Sequence, residues 1–114
     1  MKRFPSLKSS KEFAFVYNKA DSFANRNLVM YKCKNSLDKN RIGISVSKKV
    51  GNSVVRHRLT RLIREIFRLN SLSFEGYDIV VVIRVAAANC SYKELENSYI
   101  KLNKLEIRKA KNKL

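Results

Sequence analysis

The sequence predicts an α/β (α+β) fold, a two-layer sandwich in which a small mixed sheet is packed by helices. Two observations predict it. Apolar residues recur at helical spacing in some stretches and as alternating or continuous β-branched runs in others. The order of these stretches is helix, strand, strand, helix, strand, helix. The 114 residues are enough for one domain on one modest core, and they leave little room for a second. A single domain over 1–114 is therefore expected, without internal repeats, low-complexity blocks or linkers.

The first helix opens at a capping box, Ser9 and Glu12, where serine hydroxyl and glutamate each bond the other's backbone N–H. Phe13, Val16, Tyr17 and Ala20 then form one helical face. Residues 21–27 read as a loop and 28–34 as a strand. Asn, Ser and Asp in 35–40 supply a turn. Residues 41–47 alternate with period two. Ile42, Ile44 and Val46 share one face, and Gly43, Ser45 and Ser47 the other. That second face is small enough for something bulky to lie against the backbone. A loop over 48–52 leads to Ser53, read as the N-cap of a helix over 54–69. After a loop at 70–77, the run 79–83 has the pattern of a strand buried on both faces. Ser91 and Glu94 form a second capping box, opening a helix with Leu95, Tyr99, Leu102 and Leu105 or Glu106 along its stripe. The basic end, 109–114, is expected to fray.

Charge narrows the function. Lys and Arg number 25 against 9 Asp and Glu, a formal net charge of +16. Such an excess opposes compaction and favours a polyanionic partner. No apolar run approaches the roughly 20 residues of a membrane span, and no apolar stretch follows the basic start as in a secretory signal. By itself the charge leaves nucleic acid, an anionic membrane or an acidic protein open as partner; nucleic acid is the expectation, with no membrane and no small-molecule substrate. Cys33 and Cys90 match no metal-ligand or C-x-x-C spacing and read as free thiols of a reducing cytoplasm.

The helix over 54–69 locates the charge. At about 100° per residue, Val55, Leu59, Leu62, Ile63 and Ile66 gather on a core face with Phe67 at its margin. His57, Arg61, Arg64 and Arg68 form the opposite stripe, flanked by Arg58, and Glu65 is the helix's one acid. An ordinary surface helix offsets its cations with acids at i±3 and i±4. Arginine's planar fork also suits phosphate. Lys48, Lys49, Gly51 and Asn52 lead into the helix N-terminus, where N–H groups and dipole favour anions. The spacing is not that of a P-loop. Phe13, Tyr17 and Tyr31 offer a stacking platform for unpaired bases, each stack worth about 1–3 kcal/mol. Periodicity alone favours the core for Phe13 and leaves the tyrosines open between core and platform. No catalytic constellation is evident: His57 has no carboxylate to orient it, and no acids show metal-binding spacing. Catalytic and metal residues are thus expected to be none.

The segment Ser47-Lys48-Lys49-Val50-Gly51-Asn52-Ser53-Val54-Val55-Arg56-His57-Arg58, continuing through Arg61-Leu62-Ile63-Arg64-Glu65, resembles the protein subunit of bacterial ribonuclease P. That family carries a run close to S-K-K-V-G-N-A-V-x-R-N-R-x-x-R-L-I-R-E. The resemblance extends to the first helix, the strand with Tyr31 and the buried strand ending in Arg84. It implies an accessory protein of a catalytic RNA, which together remove the 5′ leader of precursor tRNA with Mg²⁺ held mainly by RNA. Lys48, Lys49, Arg56, His57, Arg58, Arg61, Arg64 and Arg68 become the expected contacts to ribonuclease P RNA. Phe13, Tyr17, Tyr31 and Arg84 become the expected leader cleft, which reverses the core reading of Phe13. The family also implies a left-handed β-α-β crossover, against the right-handed default. The chain departs from the family's pattern twice: His57 stands where Asn is usual, and Val85-Ala86 where a basic residue and Pro are common.

Overall fold

The computed structural model describes residues 6–7, 9–35, 37, 39–70 and 76–112, with side chains described up to 103. The elements are α1 (Ser10–Lys19), β1 (Asp21–Ala24), β2 (Leu28–Lys34), β3 (Arg41–Val46), α2 (Ser53–Asn70), β4 (Tyr77–Ile83), a 3₁₀ turn (Val85–Ala87) and α3 (Tyr92–Asn112). The strands form one sheet in the order β1-β2-β4-β3. β1 and β2 are an antiparallel hairpin and β2 pairs antiparallel with β4. β3 and β4 run parallel, from Arg41↔Asp78 to Val46↔Ile83, with α2 as the connection between them. The sheet is therefore mixed, as expected.

Alternation along the strands sorts the core into two clusters. Leu28, Met30, Ile42, Ile79, Val81 and Ile83 face α2 and α3, meeting Leu59, Ile63, Ile66, Phe67, Leu95, Tyr99 and Leu102. Val80 faces the other way, toward Leu7 and Val16, with Phe13, Ala20, Tyr31, Cys33 and Val82 packed around them. The α+β class stands, while α1 adds a partial third layer to the two expected. β4 sits in the middle of the sheet and is covered on both faces, which is why its sequence reads as continuous apolar.

Both capping boxes form: Ser9 with Glu12 and Ser91 with Glu94 exchange bonds of 3.0–3.2 Å. Two expectations need correction. Residues 21–24, expected as loop, are the edge strand β1. Only Phe23 of this strand packs against the core, so β1 shows no apolar pattern in sequence. The Asn25 side chain makes the hairpin turn: its Oδ1 accepts the N–H groups of Asn27 (3.1 Å) and Leu28 (3.0 Å). The cap of α2 is Asn52, not Ser53, because Asn52 Oδ1 accepts the Val55 N–H at 3.0 Å. α3 carries helical backbone to Asn112, and residues 113–114 of the stretch expected to fray lie outside the described ones.

Candidate nucleic-acid interface

The outer face of α2 carries its cations into solvent. Leu59, Ile63, Ile66 and Phe67 are buried beneath it, and Val55 and Leu62 are half-buried at its margins. His57, Arg58, Arg61, Arg64 and Arg68 are exposed; Arg56 is half-buried. The stripe is less uniform than its spacing implies. Arg68 pairs with Glu65 one turn back, and that hydrogen bond holds the Glu65 carboxyl below its usual range. Arg58 Nη2 donates to the Cys90 carbonyl at 2.5 Å, tying α2 to the segment before α3. Arg56 Nε donates to the Gly51 carbonyl at 3.2 Å. Among the described residues, no side-chain hydrogen bond or ion pair engages His57, Arg61 or Arg64. These three form the unengaged part of the stripe.

Lys48 and Lys49 are exposed in the turn between β3 and α2, closed by Val50 N–H donating to the Ser47 carbonyl (3.1 Å). Arg84 emerges beside them, because Val46 and Ile83 are partners on the last rung of the parallel pair. Its backbone N–H reaches the Asn27 carbonyl (2.9 Å) and its Nη1 the Asn25 carbonyl (2.8 Å). Asn25 and Asn27 in turn donate to the backbone carbonyl and the hydroxyl of Ser98, at 3.0 and 2.9 Å. The hairpin turn, Arg84 and α3 are thus joined in one network, and Arg84 has further guanidinium donors beyond the single bond it makes here.

The aromatic residues meet on the opposite face of the sheet. Tyr17 and Tyr31 rings lie 4.8 Å apart edge to face, and Phe13 and Tyr17 rings 6.4 Å apart. Tyr17 is 39% exposed, whereas Phe13 and Tyr31 are half-buried against Val16 and Val80. The bulky neighbour anticipated for the small face of β3 is Phe13: a Cβ on Gly43 would stand 2.7 Å from Phe13 Cζ. Phe13 therefore packs on the sheet as part of the smaller core cluster, and Tyr17 is the exposed member of the aromatic group.

An ion-pair network at the start of β3 and β4 was not legible beforehand. Arg41 Nε and Nη2 donate to both oxygens of the buried Asp78 at 2.8 and 2.7 Å, and Arg41 Nη1 to Glu12 at 3.0 Å. Asn35 adds a bond to Asp78 at 2.8 Å. Burial alone would raise the Asp78 carboxyl, but the hydrogen bonds from Arg41 and Asn35 outweigh it and hold the group below its ordinary range. Both cysteines are free. Burial pushes both thiols up, which disfavours the thiolate.

A family model described as Ribonuclease P matches residues 1–106. The ribonuclease P protein component of Lachnoclostridium phytofermentans is 57% identical over 101 residues, covering 88% of this chain and 87% of that protein. Its counterpart in Clostridium botulinum is 46% identical over 100 residues, covering 86% and 90%. Among solved structures, the Staphylococcus aureus RNase P protein aligns with a TM-score of 0.84 at 36% identity, covering 91% of this chain and 96% of that one. The Thermotoga maritima RNase P protein aligns at 0.77 and 29% identity, covering 85% and 93%. Sequence and fold agree along most of the chain, which belongs to the ribonuclease P protein family.

Proposed function

We propose that the protein docks on ribonuclease P RNA through α2 and holds the 5′ leader of precursor tRNA in the cleft beside α1, as accessory subunit of the endonuclease. The observation that carries this reading is the division of the surface. Unengaged cations on α2 and half-exposed aromatics beside α1 lie on opposite faces of one sheet. Helical RNA presents a rigid array of phosphates, which suits His57, Arg61, Arg64, Lys48 and Lys49. An unpaired leader presents base faces, which suit Tyr17, Tyr31 and Phe13. Arg84 stands at the end of the cleft nearest Lys48 and Lys49, where a leader phosphate would pass. Arg56, Arg58 and Arg68 support the surface through their bonds within the protein and face the same RNA.

The described residues bring no three His, Cys, Asp or Glu side chains together as a metal site. In this reading Mg²⁺ is held mainly by the RNA subunit, where it would supply the charge that cleavage requires. The protein's part is to position substrate and neutralise phosphate, in the cytoplasm with its RNA. Adding the protein to ribonuclease P RNA should raise precursor-tRNA cleavage at low Mg²⁺, and the protein alone should cleave nothing. Absence of stimulation would overturn this reading.

A further inference from the structure

A second aromatic and basic site lies at the end of the sheet away from Lys48 and Arg84. An open cavity of about 450 Å³ is bounded by Lys11 and Phe15 of α1, by Lys34 at the end of β2, and by the Arg41–Asp78 pair. Its size falls within the roughly 300–1,000 Å³ of ligand sites. Glu12 and Asn35 complete the floor, where Asp78 accepts from Arg41 and Asn35 and Glu12 accepts from Arg41. Hydrogen bonding fixes this floor: Arg41 bridges both carboxylates and offsets one of their two charges, and Lys11 and Lys34 make the lining net positive.

Phe15 forms the wall. It is 54% exposed, more than Tyr17 at 39%. At about 100° per residue, Phe15 lies roughly 200° around α1 from Tyr17, so it cannot belong to the same cleft. Lys11 and Lys34 are exposed at the rim, and among the described residues neither has an ion-pair partner. An aromatic face flanked by two cations is the arrangement that takes an unpaired nucleotide, with base on ring and phosphate on ammonium.

We infer that this cavity binds an unpaired nucleotide of the leader, farther from the cleavage site than those held by Tyr17 and Tyr31. The inference rests on the leader reading above. Its direction follows from the sheet. Lys48, Lys49 and Arg84 follow the last rung of β3 and β4, close to the N-terminus of α2 and so to the catalytic RNA. Arg41 and Asp78 form the first rung, about 20 Å away along strands of this length. A leader leaving the cleavage site crosses the Arg84 end first, the tyrosines next and the Phe15 cavity last.

The test uses reconstituted holoenzyme and precursor tRNAs whose leaders are shortened one nucleotide at a time. Wild-type affinity should step up once at the tyrosine cleft and again at a longer leader. Phe15→Ala should remove only the second step, weakening long-leader precursors roughly ten-fold and leaving shorter ones unchanged. Lys11→Ala with Lys34→Ala should lower the salt slope for long leaders by about 1.4 units, at about 0.7 per single-strand phosphate contact. Tyr17→Ala should weaken long and short leaders alike. Melting temperature should barely change in Phe15→Ala, because the ring is half-exposed and alanine favours helix. The inference is overturned if Phe15→Ala affects every leader length equally, affects none, or weakens binding of the RNA subunit alone. If Tyr17→Ala is also silent, the leader reading itself fails.

Discussion

At Gly43 the sheet leaves space that Phe13 fills. A side chain there would meet Phe13 Cζ, Phe13 Cε1 and Leu7 Cδ1 within 3.1 Å. Gly43→Val should therefore overpack this face, lowering unfolding free energy by about 1–3 kcal/mol in urea titrations, and should weaken leader-bearing precursor as Phe13 is pushed aside. Asp78 acts through charge. Its folded carboxyl lies below the ordinary value of 3.8, so its stabilisation is complete above about pH 4 and is lost as pH falls through the lower folded value. Asp78→Asn should cost about 1.5–3 kcal/mol at neutral pH, the worth of hydrogen bonds to a charged group. That gap should narrow in denaturant titrations below about pH 4; a gap constant down to pH 2 would contradict the assignment.

Within α2, neighbouring arginines should separate experimentally. Arg61→Ala or Arg64→Ala should each lower the slope of log affinity against log salt for the RNA subunit by about one unit, as one phosphate contact is lost. Arg58→Ala should instead lower the melting temperature of the free protein, because its guanidinium holds the Cys90 carbonyl. The stripe was legible because 3.6-residue periodicity places side chains without knowledge of their neighbours. What lay beyond reach were partners distant in sequence: Cys90 for Arg58, and Asp78 for Arg41, 37 residues away. β1 is illegible in the sequence for a related reason, since an edge strand with one packed side chain has no apolar pattern. Periodicity places Phe13 in the core, and there it packs, because Gly43 lets the ring lie on the sheet backbone while its neighbour Tyr17 stays at the surface.

For the whole molecule, a net charge of +16 on 114 residues means self-repulsion that any polyanion relieves. The free protein should melt higher as ionic strength rises, and higher still with ribonuclease P RNA at low salt, by scanning calorimetry. A melting temperature indifferent to both would show that the cations are already compensated within the fold. The parallel pairing of β3 with β4 has a further consequence for how the chain can change. One strand serves both faces: Ile42, Ile44 and Val46 lie beneath the basic helix, and Gly43 lies beneath Phe13. A single-residue insertion in β3 would exchange the two sets, burying glycine and serine under α2 and turning isoleucines against Phe13. Arg41 and Asp78, partners on the first rung and bonded through their side chains, act as a register stop against that slip. Insertions in this protein should therefore be selected against within β3, and also in the turn after it, which carries Lys48, Lys49 and the Asn52 cap of α2.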